Sequence, residues 1–141
     1  MQQNFKNHVR MVPGYHYVTS LMVLSVFVLS LVNALGPGLS KGWLALMYVL
    51  AALALIGLYA YSRLFALRAQ DRAIRAEEGL RYFILTGKRL PVALRLGQII
   101  ALRFAPDEEL PALVDRALAE KLTQRQIKEA IVNWRADYHR V

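Results

Sequence analysis

The sequence predicts an all-α fold, in which a two-helix transmembrane hairpin is followed by a small cytoplasmic bundle of short amphipathic helices. Three observations carry this reading. No Asp, Glu, Lys or Arg occurs over 11–40 or again over 42–62, and a helix needs about 20 apolar residues to cross a bilayer core. All 10 acidic residues fall at Asp71 or later, so an apolar half precedes a polar half. Within the polar half, apolar residues recur at helical spacing between breaks marked by Gly and Pro.

The resulting division is a cytoplasmic N-terminal segment over 1–15, a first span over 16–35, a periplasmic turn over 36–41, a second span over 42–62 and a cytoplasmic helical tail over 63–141. The first apolar run, 17–35, exceeds the roughly 7–15 residues of a signal-peptide core. The small-residue spacing at Val32-Asn33-Ala34 is therefore read as part of a retained span. Gly36-Pro37-Gly38 ends that span, because proline has no amide to donate and glycine weakens helix. A connection this short makes the two spans antiparallel neighbours.

Aromatic residues gather where headgroups would lie. Tyr15, His16 and Tyr17 precede the first span, Tyr59 and Tyr61 close the second, and Trp43 opens it; such rings suit the membrane interface. Ser20, Ser25, Ser30 and Asn33 on one span, with Ala54, Gly57 and Ala60 on the other, are candidates for packing between helices. Lys6 and Arg10 precede the first span and Arg63, Arg68, Arg72 and Arg75 follow the second, while the turn offers only Lys41. Both termini are accordingly expected in the cytoplasm. The net charge of +8 fits retention of basic residues on that side and attraction to anionic lipid.

The second helix is expected to continue to about Leu85, supported by the i,i+4 pairs Asp71 with Arg75 and Glu77 with Arg81. Residues 86–91, Thr-Gly-Lys-Arg-Leu-Pro, form a break. A third helix is expected over 92–104, with Leu96, Ile100 and Phe104 on one face. Ala93, Gly97 and Ala101 make a small-residue row that permits close approach of another helix, and Arg95 and Arg103 point to lipid phosphate or water. Asp107 reads as an N-cap, followed by Glu108 and Glu109 at the positive end of the helix dipole. Leu110, Leu113, Val114, Ala117 and Leu118 then form an apolar stripe. Thr123-x-x-Gln126 is a capping box opening a last helix with Ile127, Ala130, Ile131, Trp134 and Tyr138 on one side. The last two helices are expected to close as a hairpin around Leu110, Leu113, Val114, Leu118, Ile127, Ile131 and Trp134.

The segments 3–10 (Gln-Asn-Phe-Lys-Asn-His-Val-Arg), 63–72 (Arg-Leu-Phe-Ala-Leu-Arg-Ala-Gln-Asp-Arg), 101–113 and 134–138 resemble a family of bacterial two-span membrane proteins of unknown function. The resemblance covers most of the chain and is most specific from Ala101 onward. It implies a bacterial inner membrane and supplies no catalytic residues. Some relatives carry a transporter-permease label, although a hairpin this small has no charged or broken helix within the bilayer to form a substrate site.

Chemistry is otherwise sparse. With no cysteine there is no disulfide, thiolate metal site or cysteine nucleophile. His8, His16 and His139 share no i,i+4 face, so a haem or metal role for His16 yields to an interfacial one. No G-x-S-x-G, H-E-x-x-H or phosphate-binding glycine loop occurs. No enzymatic activity, catalytic residue, cofactor, metal or small-molecule substrate is expected. The leading expectation is an interaction protein of the bilayer, either an accessory or assembly subunit of a larger membrane complex or a homo-oligomer. A membrane-tethered nucleic-acid-binding regulator is the alternative, through Gln124, Arg125, Lys128, Asn133 and Arg135 on the last helix. A small component of a transporter is a further one.

Overall fold

The computed structural model describes residues 4, 5, 7, 11–36 and 42–137. Among these the fold is helical, with no strand. The chain separates into two compact units, one of Arg10–Ala66 and one of Leu67–Val141 with Met1–Val9.

In the first unit a π-helical turn, Gly14–Thr19, leads into α1, Ser20–Leu35. The helical course thus starts two residues before the expected boundary at 16. Proline suits such a start, since its φ is already helical and its missing donor is not needed there; Pro13 stands at the cap position. The widened turn leaves carbonyls that hydroxyls answer: Thr19 Oγ1 donates to the Gly14 carbonyl at 3.0 Å and Ser20 Oγ to that of Tyr15 at 3.2 Å. Helix α2, Trp43–Thr86, begins in this unit.

Gly14–Leu35 and the apolar part of α2 are each long and apolar enough to cross a membrane. Their burial is confined to narrow seams. On the first, His16, Ser20, Val23, Phe27, Ser30 and Ala34 form one shielded series and on α2 Ala45, Val49, Ala52, Ile56, Tyr59 and Arg63 another, with Tyr15, Leu31, Asn33, Leu44 and Gly57 shielded beside them. Both sets advance in alternating steps of four and three, the 3.5-residue period of helices that supercoil around a partner. Of the expected packing set, Ser20, Ser30, Asn33 and Gly57 are shielded, whereas Ser25, Ala54 and Ala60 are exposed. Small or polar character alone does not place a residue on the seam, which follows register. The other apolar side chains point outward, Leu21, Leu29 and Leu58 being 65%, 66% and 68% exposed.

The second unit begins along α2, which runs unbroken to Thr86, close to the expected end at about Leu85, although neither expected i,i+4 pair is among the ion pairs of the described residues. Gly87 ends it with a φ of +69°, a conformation open to glycine. Three short helices follow: α3, Leu96–Leu102; α4, Leu110–Ala119; and α5, Gln124–Ala130. One core joins Ile74 and Tyr82 of α2 with Leu94, Ile99, Leu102, Leu110, Val114, Ala117, Leu122 and Ile127.

Several local expectations change here. Helix α3 is shorter than 92–104, because the Gln98 side chain turns back to accept the Arg95 amide proton at 2.8 Å and sets the start at Leu96. Arg95 is not a residue type that signals a cap. The buried side chains of α3 are Gln98, Ile99, Ala101 and Leu102; of the expected face, Leu96 is exposed, Ile100 is half-buried, and Phe104 is fully buried but lies past the helix end. Helix α4 is capped from Glu109 rather than Asp107, and Pro111 sits in its first turn, where its missing donor does no harm. Helix α5 opens with the expected box: the Gln126 amide donates to Thr123 Oγ1 at 3.3 Å and the Thr123 amide to Gln126 Oε1 at 2.8 Å. It ends at Ala130, and 131–137 leave helical geometry. Helix α3 packs chiefly on α5 and less on α4, so it joins the core of the last two helices and carries more of their contacts than a direct α4–α5 closure does.

Candidate interaction surfaces

In the first unit the aromatics expected at an interface divide into a joined pair and outward rings. Tyr15 and Tyr59 stack with centroids 4.5 Å apart and planes 14° from parallel. Each hydroxyl reaches the other residue's backbone carbonyl, Tyr15 to Tyr59 at 2.8 Å and Tyr59 to Tyr15 at 3.4 Å. The Tyr59 hydroxyl also meets Ser20 Oγ at 2.6 Å, and the Arg63 guanidinium lies 5.8 Å from the Tyr15 ring centroid. The clasp joins the start of the first helical course to α2 through side-chain to backbone bonds. His16 takes the Val12 amide proton on Nδ1 at 3.0 Å. Tyr17, Trp43 and Tyr61 stand exposed, and Tyr61 stacks on Phe65 at 5.6 Å. Lys6, His8, Arg10, Lys41 and His139 lie outside the described residues, as does Tyr138.

In the tail, charges expected at the surface turn inward. Arg81 bonds Glu78 at 2.9 Å, Asp107 at 2.6 Å and the Ala105 carbonyl at 2.7 Å. Its partner on α2 is therefore Glu78, not Glu77, and Asp107 serves this cluster rather than a helix cap. Arg103, expected toward lipid or water, is buried, pairs with Asp137 at 3.2 Å and lies 4.6 Å from the centroid of Phe104. Phe104 stacks on Trp134 at 4.5 Å. The Glu109 carboxylate accepts the amides of Val132 and Asn133 at 3.0 and 2.9 Å and Asn133 Nδ2 at 3.0 Å.

Of the expected core set, Leu110, Leu113, Val114 and Ile127 are buried together, while Leu118 and Ile131 pack on their edge. Trp134 joins Phe104 from outside any helix. The small-residue row is broken up. Ala93 precedes α3 and is exposed, Ala101 is in the core, and Gly97 lies against Gln124 of α5, whose Oε1 is 3.3 Å from where a Cβ would stand.

Of the set expected on the last helix, Gln124, Arg125 and Lys128 are on α5, whereas Asn133 and Arg135 lie beyond its end and Arg135 is exposed. Arg125 bonds Glu129 at 2.8 Å, and that carboxylate holds the guanidinium still further above its ordinary range. Lys128 Nζ lies 5.5 Å from the Phe104 centroid. No group of three or more potential metal-ligating His, Asp or Glu side chains occurs among the described residues.

What sequence reasoning passed over is the outer side of the last turns of α2. Leu80 and Ile84, 61% and 72% exposed, share one stripe four residues apart beside a cavity of about 420 Å³ lined by Glu77, Leu85, Asp107 and Arg135. Arg75, Gly79 and Phe83 form another stripe, which with Arg89, Leu90, Pro91, Val92 and Ile99 lines a cavity of about 480 Å³. The spacing i, i+4, i+8 was visible, but solvation explained the charges and no carboxylate cluster or histidine drew attention.

Over residues 1–141 the chain matches a family of unknown function, DUF6526. No curated protein and no solved structure matches it.

Proposed function

The chain belongs to the DUF6526 family over its whole length, and from that premise we propose that it is a non-catalytic subunit of a larger complex in a bacterial inner membrane. In this reading Gly14–Leu35 and the apolar part of α2 cross the bilayer as an antiparallel hairpin. Both termini are cytoplasmic, and the tail offers a docking face to a membrane-protein partner.

The observation that carries the proposal is the exposure of Leu80 and Ile84 on an ordered helix whose core side is already filled. An exposed apolar stripe with a polar rim is the anatomy of a protein-binding patch. Glu77, Asp107 and Arg135 supply that rim. The seams on α1 and α2 support the hairpin, because their 3.5-residue period is what two packed spans require. A nucleic-acid role would draw on Arg125, Lys128 and Asn133, all of which already have partners in the chain.

The test is purification of the chromosomally tagged full chain in mild detergent, followed by sizing and mass spectrometry. A stoichiometric membrane protein is expected, lost when Leu80→Glu and Ile84→Glu are combined while the tail remains folded. A defined multimer of the chain itself would assign the same face to self-association. A monomer without associated protein would overturn the proposal.

A further inference from the structure

We infer that the groove lined by Arg75, Gly79, Phe83, Arg89 and Val92 binds an anionic phospholipid. The phosphate would lie between Arg75 and Arg89 and acyl methylenes over Phe83, Leu90 and Val92. This rests on the membrane reading above but on a stripe of α2 distinct from Leu80 and Ile84.

Four observations support it. The cavity, about 480 Å³, falls within the roughly 300–1,000 Å³ of small-molecule sites. Its lining pairs two guanidiniums with apolar side chains, Phe83 and Val92 being 51% and 89% exposed. Neither Arg75 nor Arg89 forms an ion pair with a carboxylate among the described residues, in contrast to Arg81, Arg103, Arg116 and Arg125. Between Glu78 and Asp107 the sequence holds no acid, while Lys88, Arg89 and Arg95 add positive charge.

An uncompensated basic pair beside apolar surface complements an amphiphilic anion. A guanidinium fork matches phosphate oxygens in geometry as well as charge. A phospholipid carries both parts, a phosphate and acyl methylenes, in one molecule. Gly79 leaves the space open, since a Cβ there would meet nothing within 4 Å.

The chain has no cysteine, so Val92→Cys can carry a single environment-sensitive fluorophore on the full-length protein in neutral detergent. Titration with phosphatidylglycerol is expected to give a saturable blue shift, with affinity about tenfold or more above that for phosphatidylcholine, as loss of a charge-assisted bond implies. Arg75→Gln with Arg89→Gln should remove that preference. Gly79→Leu should abolish the shift by filling the groove, without the backbone penalty that a crowded glycine would impose.

Equal response to both lipids, or a preference surviving in the double glutamine variant, would overturn the inference. So would an acidic amphipathic peptide that displaces phosphatidylglycerol at lower concentration, which would make the groove a protein site. Leu80→Glu with Ile84→Glu should leave lipid binding unchanged, so failure of the docking proposal and failure of this one are separately visible.

Discussion

Gln98 ties two distant pieces of backbone with one amide group: its Oε1 takes the Arg95 amide proton, and its Nε2 donates to the Leu122 carbonyl at 2.8 Å. Leucine at 98 has similar volume and neither bond, so it strands a buried carbonyl, at a cost of about 1–3 kcal/mol. The chain has two tryptophans, so in a Trp43→Phe background the fluorescence of Trp134, stacked on Phe104, reports unfolding of the tail. Gln98→Leu should lower the urea midpoint, and an unchanged midpoint would show that the bonds do not matter. Lys121 offers the opposite sign. It holds φ at +52°, and the Leu122 amide behind it donates to the Ala117 carbonyl at 3.1 Å. This is a helix C-terminal motif in which glycine is the usual occupant. Lys121→Gly should therefore raise stability by about 1 kcal/mol, within the cost of a left-handed non-glycine residue, read by the same fluorescence midpoint. Neither feature was legible beforehand: a buried glutamine looks like any polar residue between apolar ones, and lysine does not announce a left-handed turn.

At the level of elements, the seam on α2 makes a register-specific claim. Ala52 is fully buried and Ala54, two residues on, is exposed. Adding three heavy atoms at a packed site forces neighbours apart, typically costing about 1–3 kcal/mol, whereas leucine at an exposed site displaces no neighbour. Ala52→Leu should lower the thermal unfolding midpoint of the full chain in detergent, and Ala54→Leu should leave it within error. Equal effects would contradict the seam. The existence of these long apolar helices was legible from absent charge alone, and the Thr123 box and the break at Gly87 from residue type. The last helix was not. Ile127, Ala130, Ile131 and Trp134 keep helical spacing, with no glycine or proline to stop them. Yet Glu109 takes the amides of Val132 and Asn133, and the Phe104 carbonyl takes that of Arg135 at 2.7 Å. Those amide protons would otherwise bond four residues back within a continued helix. Residues over 20 positions away thus end α5, and local propensity is a weak prior against such tertiary contacts. Arg103 and Asp107 were misplaced for the same reason, since their partners, Asp137 and Arg81, are remote in sequence.

At the level of the whole molecule, the charge of +8 is unevenly spread, with Lys41 alone between the apolar runs and basic residues crowding their outer ends. A family of unknown function covering the whole chain, and an all-helical fold among the described residues, agree with the sequence reading; sidedness, if the two apolar runs insert, is a question of energy during insertion. Lys and Arg near a span resist translocation, and the bias counts residues in short loops. Lys6 and Arg10 before the first run, and Arg63, Arg68, Arg72 and Arg75 after the second, outnumber the single lysine of the turn. The turn should therefore be the part carried across. Absence of native cysteine permits a direct measurement with Ser40→Cys and Val141→Cys, each made alone. In intact cells lacking an outer-membrane barrier, a membrane-impermeant maleimide should label the first, and the second only after permeabilisation. Labelling of both from outside, or of neither, would remove the hairpin. Four arginines placed in the turn, with Lys6 and Arg10 neutralised, should invert the pattern, because only the distribution of charge, and not the apolar length, decides which ends remain behind.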